Sequence, residues 1–166
     1  VQSTSQAFYM FSEVTIGEHE VVAGEWEGTP PGECLFNDCD VVAAFNGETC
    51  VSWSFYYNIN DVFTLVLMGA DGMTAGTENY LHNGDYPSFK IYQAETGYYY
   101  NAVIESGIPM FTNFGNSLSE QLEAEEDSNG NILLIESINN INDFRLFDPY
   151  PNPFNSILKI EYFIDD

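Results

Sequence analysis

The amino-acid sequence predicts an all-β protein, folded as an antiparallel β-sandwich or jelly roll, and three observations support this class. Val, Ile, Phe and Tyr cluster in short runs of strand length. Gly, Asn, Asp and Pro separate these runs at fairly regular intervals. Good helix formers concentrate only in 117–126, which holds few apolar residues. We expect strands at 7–16, 40–45, 49–57, 62–68, 89–94, 98–104, 132–138 and 157–164.

The clearest turn signal is Asn46-Gly47, which separates the second of these runs from the third. A two-residue Asn-Gly loop favours a type I′ hairpin, because both residues tolerate positive φ. In that hairpin, Ala43 lies opposite Cys50 and Asp40 lies opposite Trp53.

The chain contains 3 cysteines, an odd number for an exported protein. In the predicted hairpin, Cys39 and Cys50 lie about four residues out of register, roughly 13 Å along the strand, which is too far for a disulfide. Cys34 can close a small loop with Cys39, the pair we expect, or can reach Cys50 if 30–32 folds back. The spacing does not fit a zinc site, which needs about four nitrogen or sulfur ligands in close pairs.

Composition limits the classes of partner. The chain has 166 residues and a hydrophobic content of 45%, enough for one domain with a sizeable core. Its 3 Lys and Arg oppose 26 Asp and Glu, for a net charge of −23. Nucleic acids and anionic membrane surfaces are excluded as partners, because both are bound by clustered basic residues. No apolar run reaches the roughly eighteen residues of a membrane span, so we expect no membrane insertion.

Scarce Lys and Arg beside abundant Asp, Asn, Gly and Tyr favour an extracellular protein. The segment 1–5 has neither the basic nor the apolar region of a signal peptide, so we expect an exported form from which the signal peptide has been removed. An acidic cytosolic protein is the alternative.

Aspartates in Gly- or Asn-rich loops are the candidate metal ligands. Carboxylate oxygens suit Ca²⁺, and bound divalent cations would relieve the self-repulsion of a compact body with this charge. The same side chains are more often turn residues that cap strands, and this is the favoured interpretation. The candidate calcium ligands are Asp38, Asp40, Asp71 and Asp85.

Aromatic runs at 53–57 and 98–100 offer a stacking platform for sugars. Alternation along a strand points about half of these rings outward, and we expect Trp53, Tyr57 and Tyr99 among them. The same alternation is more often that of a sandwich core and its rim, and this is the favoured interpretation. The sequence holds no nucleophile–base constellation and no phosphate-binding glycine motif, so we do not expect an enzyme.

The segment 150–155, Tyr-Pro-Asn-Pro-Phe-Asn, and the strand-like 157–162 resemble the start of the type A C-terminal sorting domain of the type IX secretion system. The stretches 42–51, 68–72 and 87–92 resemble modules of unassigned activity that precede such domains in secreted bacterial proteins. The resemblance implies export across an outer membrane, followed by release or attachment at the cell surface.

A sorting domain of this family is a small sandwich of several strands, whereas this sequence holds only the first of them. We therefore expect a β-sandwich domain at 1–147 and a Pro-rich arm with a terminal strand at 148–166. That strand needs a partner edge, either on its own domain or on a neighbouring subunit. Its apolar face consists of Leu158, Ile160, Tyr162 and Ile164.

These observations predict a non-catalytic, extracellular structural protein at the bacterial cell surface. Its expected partner is another copy of the chain, joined through the C-terminal strand into a filament. The alternative is a glycan-binding or adhesion module whose partner is a polysaccharide.

Overall fold

A computed structural model describes residues 1–21, 26–27, 33–34, 38–57, 62–125 and 131–135. These residues form strands, turns and irregular segments, and none of them belongs to a helix that could cross a membrane. A compact unit spans Val1–Ile135. The predicted domain boundary after 147 and the predicted strand at 157–164 lie outside the described residues.

Seven of the 11 described strands coincide with predicted runs, and the all-β prediction is confirmed. The other four, the longest of them at Asn116–Ala124, lie where no strand was predicted. Alternating apolar residues cause these segments to extend, because period-two alternation buries one side of a strand. The strands are β1 Ser5–Ile16, β2 His19–Glu20, β3 Trp26–Glu27, β4 Glu33–Cys34, β5 Val41–Asn46, β6 Thr49–Phe55, β7 Phe63–Gly69, β8 Ser88–Gln93, β9 Tyr98–Val103, β10 Asn116–Ala124 and β11 Leu134–Ile135.

One mixed sheet contains 9 of these strands, in the order β2-β1-β10-β9-β8-β5-β6, with β7 paired to β1 and β11 paired to β9. The sheet is nearly barrel-shaped. The hydroxyl of Tyr57, just after β6, donates a hydrogen bond of 3.0 Å to the carbonyl of Thr64 in β7, which joins the two ends of the sheet. β3 and β4 form a separate two-stranded sheet. The jelly-roll topology stays a prediction.

The prediction that all strands pair antiparallel is wrong for β1 and β10, which pair in parallel from Phe8↔Asn116 to Thr15↔Glu123. Most of the segment 117–126, where good helix formers concentrate, is therefore a strand between β1 and β9. Leu122 and Ala124 are buried in the core, and this burial outweighs the helix propensity of the neighbouring glutamates.

The hairpin register also differs from the prediction. Asn46 pairs with Thr49, so the turn residues are Gly47 and Glu48. Gly47 has φ 57° and Glu48 does not have a positive φ, which fits a type II′ turn and excludes type I′. The register shifts between Ala44 and Phe45, where β6 carries an extra residue.

Aromatic rings fill the centre of the sheet's concave side. Phe11 packs edge-on against Phe89 at 5.6 Å and lies 6.4 Å from Phe63. Tyr9 lies 5.8 Å from Phe89, and Tyr56 lies 5.3 Å from Phe63. These rings are almost completely buried, and each contributes about 2 kcal/mol to folding through its removal from water.

Candidate functional site

A row of aromatic side chains crosses the outer face of β6, β5, β8 and β9. Val41 in β5 lies opposite Phe55 on one side and Tyr92 on the other, and Tyr92 lies opposite Tyr99. Directly paired residues of neighbouring strands point to the same face of a sheet. The alternate residue Val42 is fully buried, so this row belongs to the outer face.

A second row runs beside the first. Ala43 lies opposite Trp53 in β6 and opposite Lys90 in β8. The Lys90 ammonium lies 4.9 Å from the centre of the Phe45 ring. The two rows and the adjoining Phe45 form a surface that we call the aromatic strip. Its rings are Phe45, Trp53, Phe55, Tyr92 and Tyr99.

The rings of the aromatic strip contact one another and remain accessible to solvent. Trp53 packs edge-on against Phe55 at 5.6 Å, and the rings of Tyr92 and Tyr99 lie 4.8 Å apart. Trp53 is 49% exposed and Tyr99 is 47% exposed, while Phe45, Phe55 and Tyr92 are half-buried. Partial burial, and secondarily the neighbouring Tyr92, raise the pKa of Tyr99, so its hydroxyl stays neutral at physiological pH.

Of the three predicted stacking residues, Trp53 and Tyr99 lie in the aromatic strip and Tyr57 does not. Tyr57 packs against Phe63 at 5.2 Å, and its hydroxyl is bound to Thr64. The prediction missed Tyr92, because the pattern within one strand shows only that it alternates with buried residues. Its approach to Tyr99 depends on the β8–β9 pairing.

The four predicted calcium ligands do not converge. Asp40 is buried at the start of β5, where its Oδ1 accepts the N–H of Ala94, just after β8, at 2.8 Å. Asp71 and Asp85 lie in the 70–87 connection, which Asn46 contacts from the opposite end of β5. Calcium binding stays a prediction, without support from a shared site.

Asp71 and Asp85 stabilise turns by accepting hydrogen bonds from backbone N–H groups, in agreement with the interpretation of these residues as turn residues. Asp71 accepts the N–H groups of Thr4 and Thr74 at 3.0 Å and 2.7 Å. These bonds, Thr4 first, hold the pKa of Asp71 far below its usual range. Asp85 accepts the N–H of His82 at 2.8 Å.

Among the described side chains, one cluster combines three potential metal ligands: Cys34, Asp38 and Cys39. Cys34 and Cys39 are joined by a disulfide, which leaves the exposed carboxylate of Asp38 without thiolate partners for a metal ion. The third cysteine, Cys50, is free and exposed. The predicted assembly residues Leu158, Ile160, Tyr162 and Ile164 lie outside the described residues.

Comparison with protein-family models, curated proteins and solved structures finds no significant match to this chain. The geometry and chemistry of the aromatic strip are therefore the basis for a function.

Proposed function

We propose that this protein is a non-catalytic carbohydrate-binding protein that holds a glycan chain along the aromatic strip. The observation that carries the proposal is the arrangement of Phe55, Tyr92 and Tyr99 in one row on the outer face of neighbouring strands, with Trp53 beside them. Sugar rings present C–H groups on their faces, and these pack favourably against aromatic rings while the hydroxyls stay in water.

The shape of the aromatic strip suits a chain better than a single sugar. Neighbouring strands are about 4.8 Å apart, so a row across four strands extends for roughly 14 Å. A single sugar would cover only part of that length. An extended oligosaccharide can contact Phe55, Tyr92 and Tyr99 together, and each additional stacked ring increases its residence time.

The rest of the chain is compatible with a role outside the cell. The Cys34–Cys39 disulfide is of a kind that persists in oxidising compartments. The net charge of −23 disfavours nucleic acids, the other polymers that commonly stack on exposed rings.

Titration of the full chain with a panel of soluble linear oligosaccharides tests the proposal, with tryptophan fluorescence as the readout. We expect a saturable change in emission, because a sugar that stacks on Trp53 changes the polarity around the indole. The chain has 2 tryptophans, so a Trp53→Phe variant shows whether the signal comes from Trp53.

Tyr99→Ala and Tyr98→Ala form a matched pair for the same titration. Tyr98 and Tyr99 are adjacent and similarly exposed, at 45% and 47%, but alternation assigns them to different faces of β9. We expect Tyr99→Ala to weaken binding about tenfold and Tyr98→Ala to change it less than twofold. Equal effects of the two variants, or no binding across the panel, would contradict the proposal.

A second candidate function is assembly through strand addition, as the sequence predicts. The observation in its favour is that β6, among the described strands, has ladder pairing with β5 alone. Its other edge faces β7, where the Tyr57 hydroxyl bonds to Thr64, so an added strand would have to insert between β6 and β7. Light scattering of the full chain and of a chain ending at Phe147 tests it. Large assemblies formed only by the full chain would support strand addition, and identical sizes would exclude it.

A further inference from the structure

Lys90 is the single Lys or Arg among the residues that the structure describes. It lies on the outer face of β8, half-buried, opposite Ala43 on β5 and Asn101 on β9. The cation therefore lies inside the aromatic strip, between Trp53 and Tyr99 in strand order. All other described charged side chains, the histidine aside, are acidic.

The Lys90 ammonium has no carboxylate partner among the described side chains, where the one ion pair joins His82 and Asp85. This is unexpected in a chain with 26 Asp and Glu, where most cations would find an acid nearby. Instead, Lys90 lies 4.9 Å above the Phe45 ring. Attraction to the ring positions the ammonium and leaves its N–H donors available to a ligand.

The residue between Trp53 and Lys90 is Ala43, whose short side chain leaves room between the two longer ones. Trp53 and Lys90 are two strands apart, roughly 10 Å. A sugar ring that stacks on Trp53 can extend over the short Ala43 side chain and direct a charged substituent toward Lys90. The exposed Asn101 on the far side of Lys90 can bind hydroxyl groups of the next sugar.

We infer that Lys90 makes the aromatic strip selective for acidic glycans, whose sugars carry carboxylate or sulfate groups. This inference rests on the proposed glycan binding and names its ligand class. The net charge of −23 repels such a ligand at long range, but at physiological ionic strength exposed charges are screened beyond about 8 Å. The direct contact with Lys90 therefore decides the selectivity.

Calorimetric titration with matched hexasaccharides at about 0.15 M salt tests the inference. The probes are a linear hexamer of glucose, the corresponding hexamer of glucuronic acid, and a sulfated glucose hexamer, which separates carboxylate from sulfate recognition. We expect at least one acidic hexamer to bind about fivefold or more tightly than the neutral hexamer, because hydrogen bonds to a charged donor are the stronger kind.

Two variants and a charge control assign the selectivity to Lys90. Lys90→Met keeps an apolar stem over Phe45 and is expected to remove the preference, so that the neutral and acidic hexamers bind this variant with equal affinity. Lys90→Arg is expected to keep the preference. Met73→Glu, at an 83% exposed position in the connection after β7, changes the net charge by the same amount as Lys90→Met and is expected to have no effect.

The outcomes separate this inference from the proposed function. Equal binding of neutral and acidic hexamers, or a preference that survives in Lys90→Met, would overturn the inference and leave glycan binding intact. Failure of every hexamer to bind would remove the proposed function and the inference together. Thermal melting of each variant verifies that it is folded before its affinity is compared.

Discussion

Asp71 accepts hydrogen bonds from both the backbone N–H and the hydroxyl of Thr4, each at 3.0 Å. The same carboxylate accepts the N–H groups of Met73 and Thr74 in its own turn. One side chain therefore fastens the segment before β1 to the turn after β7. This concentration of donors is sufficient to account for an aspartate at this position.

Replacement of Asp71 by Asn is expected to lower the melting temperature, because an amide nitrogen in place of Oδ2 cannot accept the two Thr4 hydrogen bonds. The pKa of Asp71 is lowered in the folded state, so its stabilising effect is present above the usual Asp pKa of about 4. That effect declines as pH falls from there toward the lowered pKa. The melting temperatures of the wild type and Asp71→Asn should therefore differ at pH 7, and this difference should become smaller in strong acid.

The control for this experiment is Glu105→Gln, in an exposed turn. It removes one charge without removing a described hydrogen bond, so it should leave the melting temperature nearly unchanged. A difference between wild type and Asp71→Asn that grows toward low pH would contradict the bracing role.

Alkaline unfolding is expected to depend on Tyr9. Burial raises the pKa of Tyr9 to about 12, and its hydroxyl donates to the Pro109 carbonyl at 2.9 Å. The unfolded chain loses this proton near pH 10, so the protein loses stability as pH rises from about 10 to 12. The ionisation of Tyr9 is expected to reduce the free energy of unfolding by about 1 kcal/mol at pH 11. Urea unfolding at pH 8 and pH 11 measures it.

Tyr9→Phe provides the comparison for that measurement. The variant lacks the hydrogen bond to Pro109 and should be about 1 kcal/mol less stable at pH 8. It also lacks the ionisable hydroxyl, so the stabilities of the two proteins should approach each other near pH 11. If the free energies of unfolding of the wild type and Tyr9→Phe fall in parallel from pH 8 to pH 11, Tyr9 does not cause the loss of stability in alkali.

Gly69 is expected to tolerate no side chain. A Cβ at this position would lie 2.6 Å from the Phe111 ring and 2.6 Å from the Ser5 hydroxyl oxygen. Gly69→Ala should therefore reduce the free energy of unfolding by about 1–3 kcal/mol, as overpacked cores do. In a double-mutant cycle with Phe111→Leu, the combined loss should be smaller than the sum of the single losses. If the losses of the two single variants add up to the loss of the double variant, the added methyl group does not clash with Phe111.

Cysteine labelling is expected to modify Cys50 alone in the folded, unreduced protein. Cys34 and Cys39 share a disulfide, and Cys50 is free. Partial burial of the sulfur raises the pKa of Cys50, so labelling should be slow near neutral pH and faster in mild alkali. Mass spectrometry after iodoacetamide treatment locates the modified residue. Modification of Cys34 or Cys39 before reduction would contradict the disulfide.

The aromatic strip shows which residues of a candidate site can be predicted from patterns in the sequence. Alternation correctly assigned Trp53 and Tyr99 to the surface, because each lies within a regular strand. Tyr57 follows the end of β6, where alternation no longer applies, and it packs on Phe63 instead. Phe55 and Tyr92 belong to the aromatic strip because β5 pairs with both of their strands, and no pattern within β6 or β8 shows this pairing.

The sequence by itself determined the strand-rich class, the positions of most strands and the acidity that limits the partners. Those properties follow from composition and from an alternation that each segment carries within itself. The tertiary structure alone decided that β10 lies parallel to β1, that the β5–β6 register shifts at Phe45, and that Lys90 lies among rings. Strand order and register depend on packing between segments far apart in the chain, and no local pattern contains that information.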